Sequence, residues 1–243
     1  MFADIHSHIL PALDDGVSDI EEAVKVLRAA ELSGTKHIVA TPHYISGTLE
    51  NDYNIIRQNT EDLRKISADA GLDIDIYVGA EVFISPDIPE MVEKGAIITL
   101  NYSSFILIEL PMDNIPLYTD DVFFSMQIKG LTPIIAHPER NAEIRRNPGL
   151  LCSFNERGIL AQANAGSITG LYGRDVRKAA LKFIGMGLIQ FVGSDVHSAE
   201  GRSTADLRKA EAIVRKKFGK EIARDLFYNN GIAVIENRTL VVE

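Results

Sequence analysis

The chain begins MFADIHSHILPALDDG, residues 1–16, and this stretch determines how the rest is interpreted. It joins a short apolar run, a His-x-His pair and an acidic loop that ends at Gly16. On a β-strand, residues i and i+2 point to the same side, so His6 and His8 project together. Imidazole is a common ligand for zinc, iron, copper and nickel, and carboxylates suit harder ions such as manganese and magnesium. Two histidines alone do not make a metal site, so the other ligands must come from later in the chain.

Length, composition and charge are those of an ordinary globular protein. The 243 residues are 46% hydrophobic and 24% charged, and a single α/β barrel commonly has this size. No Pro-, Gly- or Ser-rich linker and no internal repeat divides the sequence, so we expect one domain over residues 1–243. The net charge of −9 argues against a nucleic-acid binder and an anionic-membrane binder, but not against a phosphorylated substrate.

The lack of a targeting segment and the single cysteine indicate a cytoplasmic protein. No apolar run reaches about 18 residues, and the N-terminus lacks a basic region followed by an apolar one. We therefore expect neither a signal peptide nor stable membrane insertion. Cys152 is the only cysteine, which excludes an intrachain disulfide and fits a reducing cytoplasm.

Seven short apolar, β-prone runs alternate with helical patterns. Several runs are apolar at successive positions, as in Ile106-Leu107-Ile108, which is typical of a parallel sheet buried on both faces. The alternation predicts an α/β fold with about seven strand–helix repeats, closed as a barrel or open. The predicted strands cover residues 2–6, 37–41, 74–82, 105–110, 133–136, 160–165 and 190–193.

The helical patterns lie between these runs. A capping box, Ser18-x-x-Glu21, predicts the start of the first helix, and Gly34 its end. The second pattern begins at Tyr53 and ends at Gly71. Further helices are predicted over residues 119–129, 145–157, 175–186, 204–218 and 221–228.

Nearly every predicted strand is followed by a side chain that can bind metal. In a βα barrel, functional groups lie at the C-terminal ends of the strands. Six of the seven runs meet this expectation, whereas run 160–165 offers Asn164, which is polar but not an obvious ligand. His37 precedes a run, so we interpret it as an ordinary surface or core histidine. The candidate ligands are His6, His8, Asp15, His43, Glu81, Glu109, His137, Asp195 and His197.

The size and charge of this ligand pool predict more than one ion. Glu81 and Glu109 follow strongly apolar runs, where an unpartnered carboxylate is unfavourable; metal coordination is the favoured explanation, and a buried pair with arginine is the alternative. A tetrahedral zinc needs three or four ligands, so the pool predicts two or three ions. Arg140 and Arg202 follow strand ends by a few residues; unless they are ordinary surface arginines, they make the site positive enough for a phosphate dianion. Metal also lowers the pKa of bound water to roughly 7.

These motifs resemble the polymerase-and-histidinol-phosphatase (PHP) superfamily of metal-dependent phosphoesterases. Within it, the sequence is similar to the protein-tyrosine phosphatases of bacterial capsule and exopolysaccharide loci. The matching pieces follow the family order from residue 2 to about residue 202. Asp14-Asp15-Gly16 and His137-Pro138-Glu139-Arg140 are the most specific to this subgroup, whereas His-x-His is shared with many amidohydrolase-like barrels. One departure is Tyr44, where relatives carry a second histidine after His43.

The resemblance implies a distorted seven-stranded (β/α)7 TIM-like barrel with two to three divalent ions, manganese first, with iron, magnesium or zinc as alternatives. It implies hydrolysis of phosphotyrosine by a metal-bridging hydroxide, on a cognate bacterial tyrosine kinase that controls capsule or exopolysaccharide synthesis. Arg140 and Arg202 would hold the phosphoryl oxygens, and Asp195 or His197 is a candidate general acid if ligation leaves it free. The implied ion sites are His6, His8, Glu81 and Asp195; Glu81, Glu109 and His137; and Asp15, His43 and His197.

Three other interpretations can be compared with this one. A cysteine-dependent phosphatase needs Cys-x5-Arg, but Arg157 follows Cys152 at Cys-x4-Arg spacing. A small-molecule phosphatase, such as one acting on histidinol phosphate, would need nearly the same metal ligands. A non-catalytic, metal-stabilised regulator of polysaccharide assembly is the alternative outside enzymes, and the presence of every ligand and both arginines argues against it. The sequence leaves the oligomeric state open.

Overall fold

Two parallel sheets form the centre of the fold in the computed structural model, which describes residues 1–200 and 207–240. One sheet has the strand order β1-β2-β4, and the other has the order β3-β5-β6-β7-β8-β9. Neighbouring strands are parallel in both sheets. The strands are β1 Phe2–Ser7, β2 Thr35–Ala40, β3 His43–Tyr44, β4 Asp75–Val78, β5 Glu81–Phe83, β6 Phe105–Glu109, β7 Thr132–Ala136, β8 Leu160–Asn164 and β9 Phe191–Gly193.

Helices follow most of the strands, as the alternating pattern predicts. Short 3-10 turns at Leu100–Tyr102 and Pro138–Arg140 add to them. None of the helices in residues 1–200 and 207–240 is long and apolar enough to cross a bilayer. The α-helices are α1 Ile20–Ser33, α2 Tyr53–Asp69, α3 Ile88–Glu93, α4 Thr119–Ile128, α5 Ala142–Arg146, α6 Gly149–Glu156, α7 Ala165–Thr169, α8 Arg174–Gly185, α9 Leu207–Phe218, α10 Lys220–Arg224 and α11 Asn230–Ile235.

The predicted count of seven strands is wrong, although each predicted run contains strand residues. The chain leaves the first sheet after β2 and enters the second as β3, and it repeats this step between β4 and β5. Pro42 lies at the first interruption, and proline has no N–H to continue a ladder. Gly79 lies at the second, where an added Cβ would be 2.9 Å from the side chains of Val39 and Leu100. Two sheets of three and six strands therefore replace the single seven-stranded sheet.

The two sheets meet where β1 lies beside the segment that follows β9. The His8 N–H donates to the Val196 carbonyl at 2.9 Å, and the Asp195 N–H donates to the His6 carbonyl at 2.9 Å. Ser7 and Val196 form a parallel bridge. These bonds place the His-x-His pair next to Asp195, although about 190 residues separate them in the sequence.

The sheets are buried on both faces, as the continuous apolar runs predict. Ile106 and Ile108 of β6 pack in the larger apolar cluster, under the helices. Leu107, between them, packs in a smaller cluster with Ile5 and Val39 of the other sheet. Successive residues of one strand therefore enter different cores, which explains why the strand has no polar alternation.

Several helix boundaries differ from the prediction. The capping residue of α1 is Asp19, one residue after the predicted Ser18, and its side chain accepts from the Glu22 N–H at 2.9 Å. Pro148 separates α5 from α6, where the sequence predicted one helix. The last predicted helix, over residues 221–228, is divided into α10 and a π-helical turn at Asp225–Asn229, and α11 follows beyond its predicted end. The predicted helix start at residue 204 lies outside the described residues.

Candidate metal centre

The nine candidate ligands come together where β1, β6, β7 and β9 end and where β3 and β5 begin. His6 is in β1, His43 begins β3, and Glu81 begins β5. Glu109 ends β6, and His137 follows β7 directly. Asp195 and His197 follow β9, and Asp15 lies in the loop after β1. Arg140 lies beside this group, and the predicted phosphate ligand Arg202 is outside the described residues.

The first group of potential ligands is completely buried and contains His6, His8, Glu81 and Asp195, with all ligand atoms within 4.8 Å of one another. Glu81 Oε2 lies 3.1 Å from His6 Nε2 and 3.2 Å from His8 Nε2. Asp195 Oδ1 lies 3.3 Å from His6 Nε2 and 3.4 Å from His8 Nε2. Two imidazole nitrogens and two carboxylate oxygens therefore face one point.

The second group overlaps the first because both contain Glu81. His43, Glu81 and Glu109 bring their ligand atoms within 4.8 Å of one another. His43 Nδ1 is 3.2 Å from Glu81 Oε2 and 3.7 Å from Glu109 Oε2. His137 Nε2 is 3.0 Å from Glu81 Oε1 and 3.7 Å from Glu109 Oε1. Glu81 is therefore a bridge between two potential ion sites.

The third group is the most open of the three and contains His8, Asp15, His43 and His197. Asp15 Oδ1 lies 3.5 Å from Nε2 of both His43 and His197. The Asp15 side chain is 73% exposed, whereas His8 is fully buried. This group thus joins the buried centre to the solvent.

The charges of the centre hold its groups in unusual protonation states. Burial raises the pKa of Glu81, but the positive histidines around it, His6 first, bring the pKa well below its usual value. Burial lowers the pKa of His6, and the charges of Glu81 and Asp195 overcome this and raise it to about 9. Burial and the nearby charge of Glu81 raise the pKa of Glu109 to about 7. Without an ion, protons must supply the positive charge that these carboxylates require.

A divalent cation would satisfy the potential ligand atoms better than the hydrogen bonds among them do. Within residues 1–200 and 207–240, the buried Glu81 Oε2 and His43 Nδ1 have no hydrogen-bond partner, although they lie 3.2 Å apart. A buried polar atom without a partner is unfavourable, and an ion between these two would satisfy both. The mixture of imidazole and carboxylate suits manganese, iron or zinc.

Asp14 forms hydrogen bonds with two of the candidate ligands, His8 and His43. The sequence pattern pointed to its neighbour Asp15 instead. The Asp14 Oδ2 is 2.7 Å from His8 Nδ1 and accepts from the His43 N–H at 2.9 Å. Burial raises the pKa of Asp14, but its bond to His8 lowers it to about 2. A carboxylate on Nδ1 leaves Nε2 of His8 facing the centre, which is a common arrangement around metals. The only sequence signal was the pair of adjacent aspartates.

Arg140 is held at the edge of the centre by two contacts. Its Nη1 donates to Asp195 Oδ2 at 3.1 Å, and its guanidinium lies 4.6 Å from the centre of the Tyr172 ring. Tyr172 belongs to the loop between α7 and α8, and nothing in the sequence pattern singled it out. The Arg140 side chain keeps 25% of its surface exposed, so it can also donate to an anion beside the centre.

The backbone is strained at two candidate ligands. His137 has a φ of 34° and Asp195 a φ of 54°, in the left-handed region that non-glycine residues rarely adopt. Such conformations cluster at functional sites because the surrounding structure imposes them. Here they turn the side chains of two strand ends toward Glu81.

An open cavity of about 600 Å³ lies beside the third group. Its polar lining includes Asp15, His43 and Glu109. Its apolar lining includes Ile45, Leu49 and Phe83. A ligand in this cavity would therefore meet both candidate metal ligands and apolar side chains.

Fold and site together define an α/β protein that brings overlapping groups of candidate metal ligands together between its parallel strands. The model of the family described as capsular polysaccharide synthesis, CpsB/CapC, matches residues 2–236. The chain belongs to the CpsB/CapC family. The resemblance found in its sequence motifs is therefore confirmed at the level of this family.

Individual relatives match over nearly their whole length. The tyrosine-protein phosphatase YwqE of Bacillus subtilis is 35% identical over 237 residues, covering 98% of this chain and 92% of YwqE. The tyrosine-protein phosphatase CpsB of Streptococcus pneumoniae is 30% identical over 242 residues, covering 98% of this chain and 99% of CpsB. One solved structure comes from crystallographic work on YwqE and CpsB, which describes them as metal-dependent tyrosine phosphatases. It superimposes on this chain with a TM-score of 0.94 at 34% identity, and the match covers 99% of this chain and 96% of that one.

Proposed function

We propose that this chain is a metal-dependent protein-tyrosine phosphatase, which hydrolyses phosphotyrosine in proteins. The observation that carries the proposal is the position of Glu81, whose two oxygens face four histidines and join overlapping groups of potential ligands. Two of its relatives, YwqE and CpsB, are named tyrosine-protein phosphatases, which supports the same activity here.

We assign two to three divalent ions to the centre, with manganese as the first candidate. The proposed ligands are His6, His8, Asp15, His43, Glu81, Glu109, His137, Asp195 and His197. Ions held there would supply Lewis-acid charge to the phosphoryl oxygens and a water molecule activated at neutral pH.

The side chains of the protein bind and orient the phosphate. Arg140 is partly exposed beside Asp195, so its remaining N–H groups would donate to phosphoryl oxygens in charge-assisted hydrogen bonds. Arg202 is proposed as a second donor. The leaving phenol has a pKa of about 10, so its departure needs little proton donation. Asp195 and His197 serve as ligands first, and as proton donors only if ligation leaves one of their atoms free.

The cavity beside the third group supports an aromatic substrate. Phe83 and Leu49 would contact a phenyl ring while the phosphate reaches His43 and Asp15. The cavity is open to solvent at Asp15, so a side chain on a peptide can enter it. These features favour phosphotyrosine over a small polar phosphomonoester such as histidinol phosphate.

The test is hydrolysis of a phosphotyrosyl peptide by the purified protein, stripped with a chelator and then supplied with manganese. We expect turnover only with metal, and a loss of orders of magnitude in kcat for His6→Ala with the fold retained. A phosphoseryl peptide and histidinol phosphate are the comparison substrates. Equal or faster hydrolysis of histidinol phosphate would contradict the tyrosine-phosphatase assignment, and no metal-dependent turnover of any of them would support the non-catalytic regulator instead.

The family context extends the proposal to the cell. Because the family is described by capsular polysaccharide synthesis, we propose a bacterial tyrosine kinase of that system as the substrate. A cytoplasmic location is proposed from the single Cys152. We also propose that residues 1–243 form one domain, in which the Ser7–Val196 bridge joins the two sheets into a distorted barrel.

A further inference from the structure

Strand β8 is the one strand of the predicted set whose C-terminal end offers no metal ligand, yet it contributes two buried amide side chains to the centre. Gln162 and Asn164 are two residues apart on this strand, so their side chains point to the same side. Both are fully buried, as is His6. Hydrogen bonds between them are therefore free of competition from bulk water.

The hydrogen bonds form a chain from His6 to Asp195. The Asn164 Nδ2 lies 2.5 Å from Asp195 Oδ2, and the Gln162 Nε2 lies 3.0 Å from Asn164 Oδ1. The Gln162 Nε2 also lies 2.7 Å from the Ala163 carbonyl oxygen. At the other end, Gln162 Oε1 lies 2.7 Å from His6 Nδ1.

The direction of this chain is determined by its partners. The Asp195 carboxylate and the Ala163 carbonyl only accept, so Asn164 and Gln162 must present their NH₂ groups to them. Each amide then has its oxygen on the opposite side. Gln162 Oε1 is thus an acceptor, and His6 must donate its Nδ1–H to it.

We propose that Gln162 and Asn164 are positioning residues, which fix the His6 tautomer with Nε2 free for metal and hold Asp195 with Oδ1 toward the same point. The inference rests on the proposed function, because it concerns the same metal centre. Asp195 Oδ2 accepts hydrogen bonds from both Asn164 and Arg140, which leaves Oδ1 to face His6 Nε2 at 3.3 Å. One amide chain therefore orients two of the four groups around the buried ion site.

Gly193 makes room for this arrangement. It lies opposite Asn164 in the β8–β9 ladder, and an added Cβ there would be 2.9 Å from Gln162 Nε2 and 2.9 Å from the His6 Cβ. Such a distance requires a shift of one of the neighbours. Gly193 is therefore needed for the close approach of His6 and Gln162.

The test uses Gln162→Met, which keeps the length of the side chain and removes the acceptor. The matched control is Gln190→Met, because Gln190 is also buried but its side chain bonds to Ala161 of β8, Asn155 and Gly187 instead of a candidate ligand. Zinc affinity is measured by competition with a chromophoric chelator. We expect a loss of about 10- to 100-fold for Gln162→Met and no loss for Gln190→Met, with melting temperatures recorded for both.

A second readout is taken on the wild type itself, and a variant serves only to assign the signals. In the zinc-loaded, ¹⁵N-histidine-labelled wild type, long-range ¹H–¹⁵N spectra should show His6 protonated at Nδ1 and bound to zinc through Nε2; the His6→Gln spectrum assigns the signals. The opposite tautomer in the wild type would overturn the inference. Wild-type affinity in Gln162→Met, or an equal loss in both glutamine variants, would also overturn it. If the wild type itself binds no zinc or manganese, the proposed function fails, and this inference fails with it.

Discussion

Removal of the metal ions should make the folded chain lose stability as the pH rises from 6.5 toward 9. The prediction follows from His6, which is fully buried and whose pKa, lowered by burial but raised more by Glu81 and Asp195, reaches about 9 against an ordinary 6.5. A group whose pKa is higher in the folded state stabilises the fold fully below the unfolded pKa. That stabilisation is lost as the pH rises through the folded pKa.

The magnitude follows from the two pKa values. The difference between 6.5 and about 9, at about 1.4 kcal/mol per pH unit, corresponds to about 3 kcal/mol from His6. His8 and His137 also have raised pKa values, so they act in the same direction. His37 lies outside the centre, and burial lowers its pKa. It therefore reduces stability as the pH falls below 6.5, which is the opposite pH dependence. The two effects therefore occupy different pH ranges.

Urea unfolding from pH 6 to pH 9.5, with a chelator or with saturating manganese, measures this effect. The free energy of unfolding should fall by about 3 kcal/mol or more with the chelator. It should not fall with manganese, because metal replaces the protons on the ligands. In His6→Gln the decrease should shrink by about 3 kcal/mol. A metal-free protein whose stability is flat or rising between pH 6.5 and pH 9 would refute this electrostatic account of the centre.

Three further predictions concern single side chains. Cys152→Ser should keep kcat within about twofold, since a metal mechanism does not need the half-buried thiol; a large loss of p-nitrophenyl phosphate hydrolysis would contradict this. Arg140→Lys should lower kcat/KM for a phosphotyrosyl peptide about 10- to 100-fold, because one ammonium cannot serve both Asp195 and the phosphate; unchanged kinetics would exclude the role. Gly16→Ala should lower stability by about 1–3 kcal/mol in thermal unfolding, because the new Cβ would lie 2.4 Å from the His8 carbonyl oxygen. Gly149→Ala is the control and should be tolerated, because the nearest atom to its new Cβ is 3.1 Å away.

The part of the site that follows from strand order could be predicted from the sequence. Parallel strands present their carboxyl ends at one edge, so a histidine or carboxylate at the end of six of the seven apolar runs was enough to predict that His6, Glu81 and Asp195 lie together. The same logic predicted that β6 is buried on both faces. Neither conclusion required knowledge of which residues pair across the sheet.

The division of the sheet could not be predicted, because it depends on tertiary contacts. Residues 74–82 form one apolar run in the sequence, but the backbone at Gly79 packs against the side chains of Val39 and Leu100 and the ladder changes sheet. Hydrophobic periodicity carries no information on such contacts. The predicted strand therefore became β4 and β5.

The supporting residues were missed for a related reason. Asp14 and Asp15 are adjacent in one acidic loop, and only the folded loop shows that Asp14 is the one that faces His8 Nδ1. Gln162 is 156 residues from its partner His6, inside a strand that the sequence marks only as buried. Hydrogen bonds between side chains this far apart leave no local signal.

The most direct test of the metal-dependent activity is a titration of the chelator-treated protein with manganese, following hydrolysis of a phosphotyrosyl peptide. Bound metal is measured by elemental analysis at each step. Turnover should be absent at the start and rise to a plateau as two to three ions bind per chain, and Glu81→Gln, which removes the carboxylate shared by two ligand groups, should never reach it. Full turnover of the peptide by protein that contains no metal would contradict the proposed site.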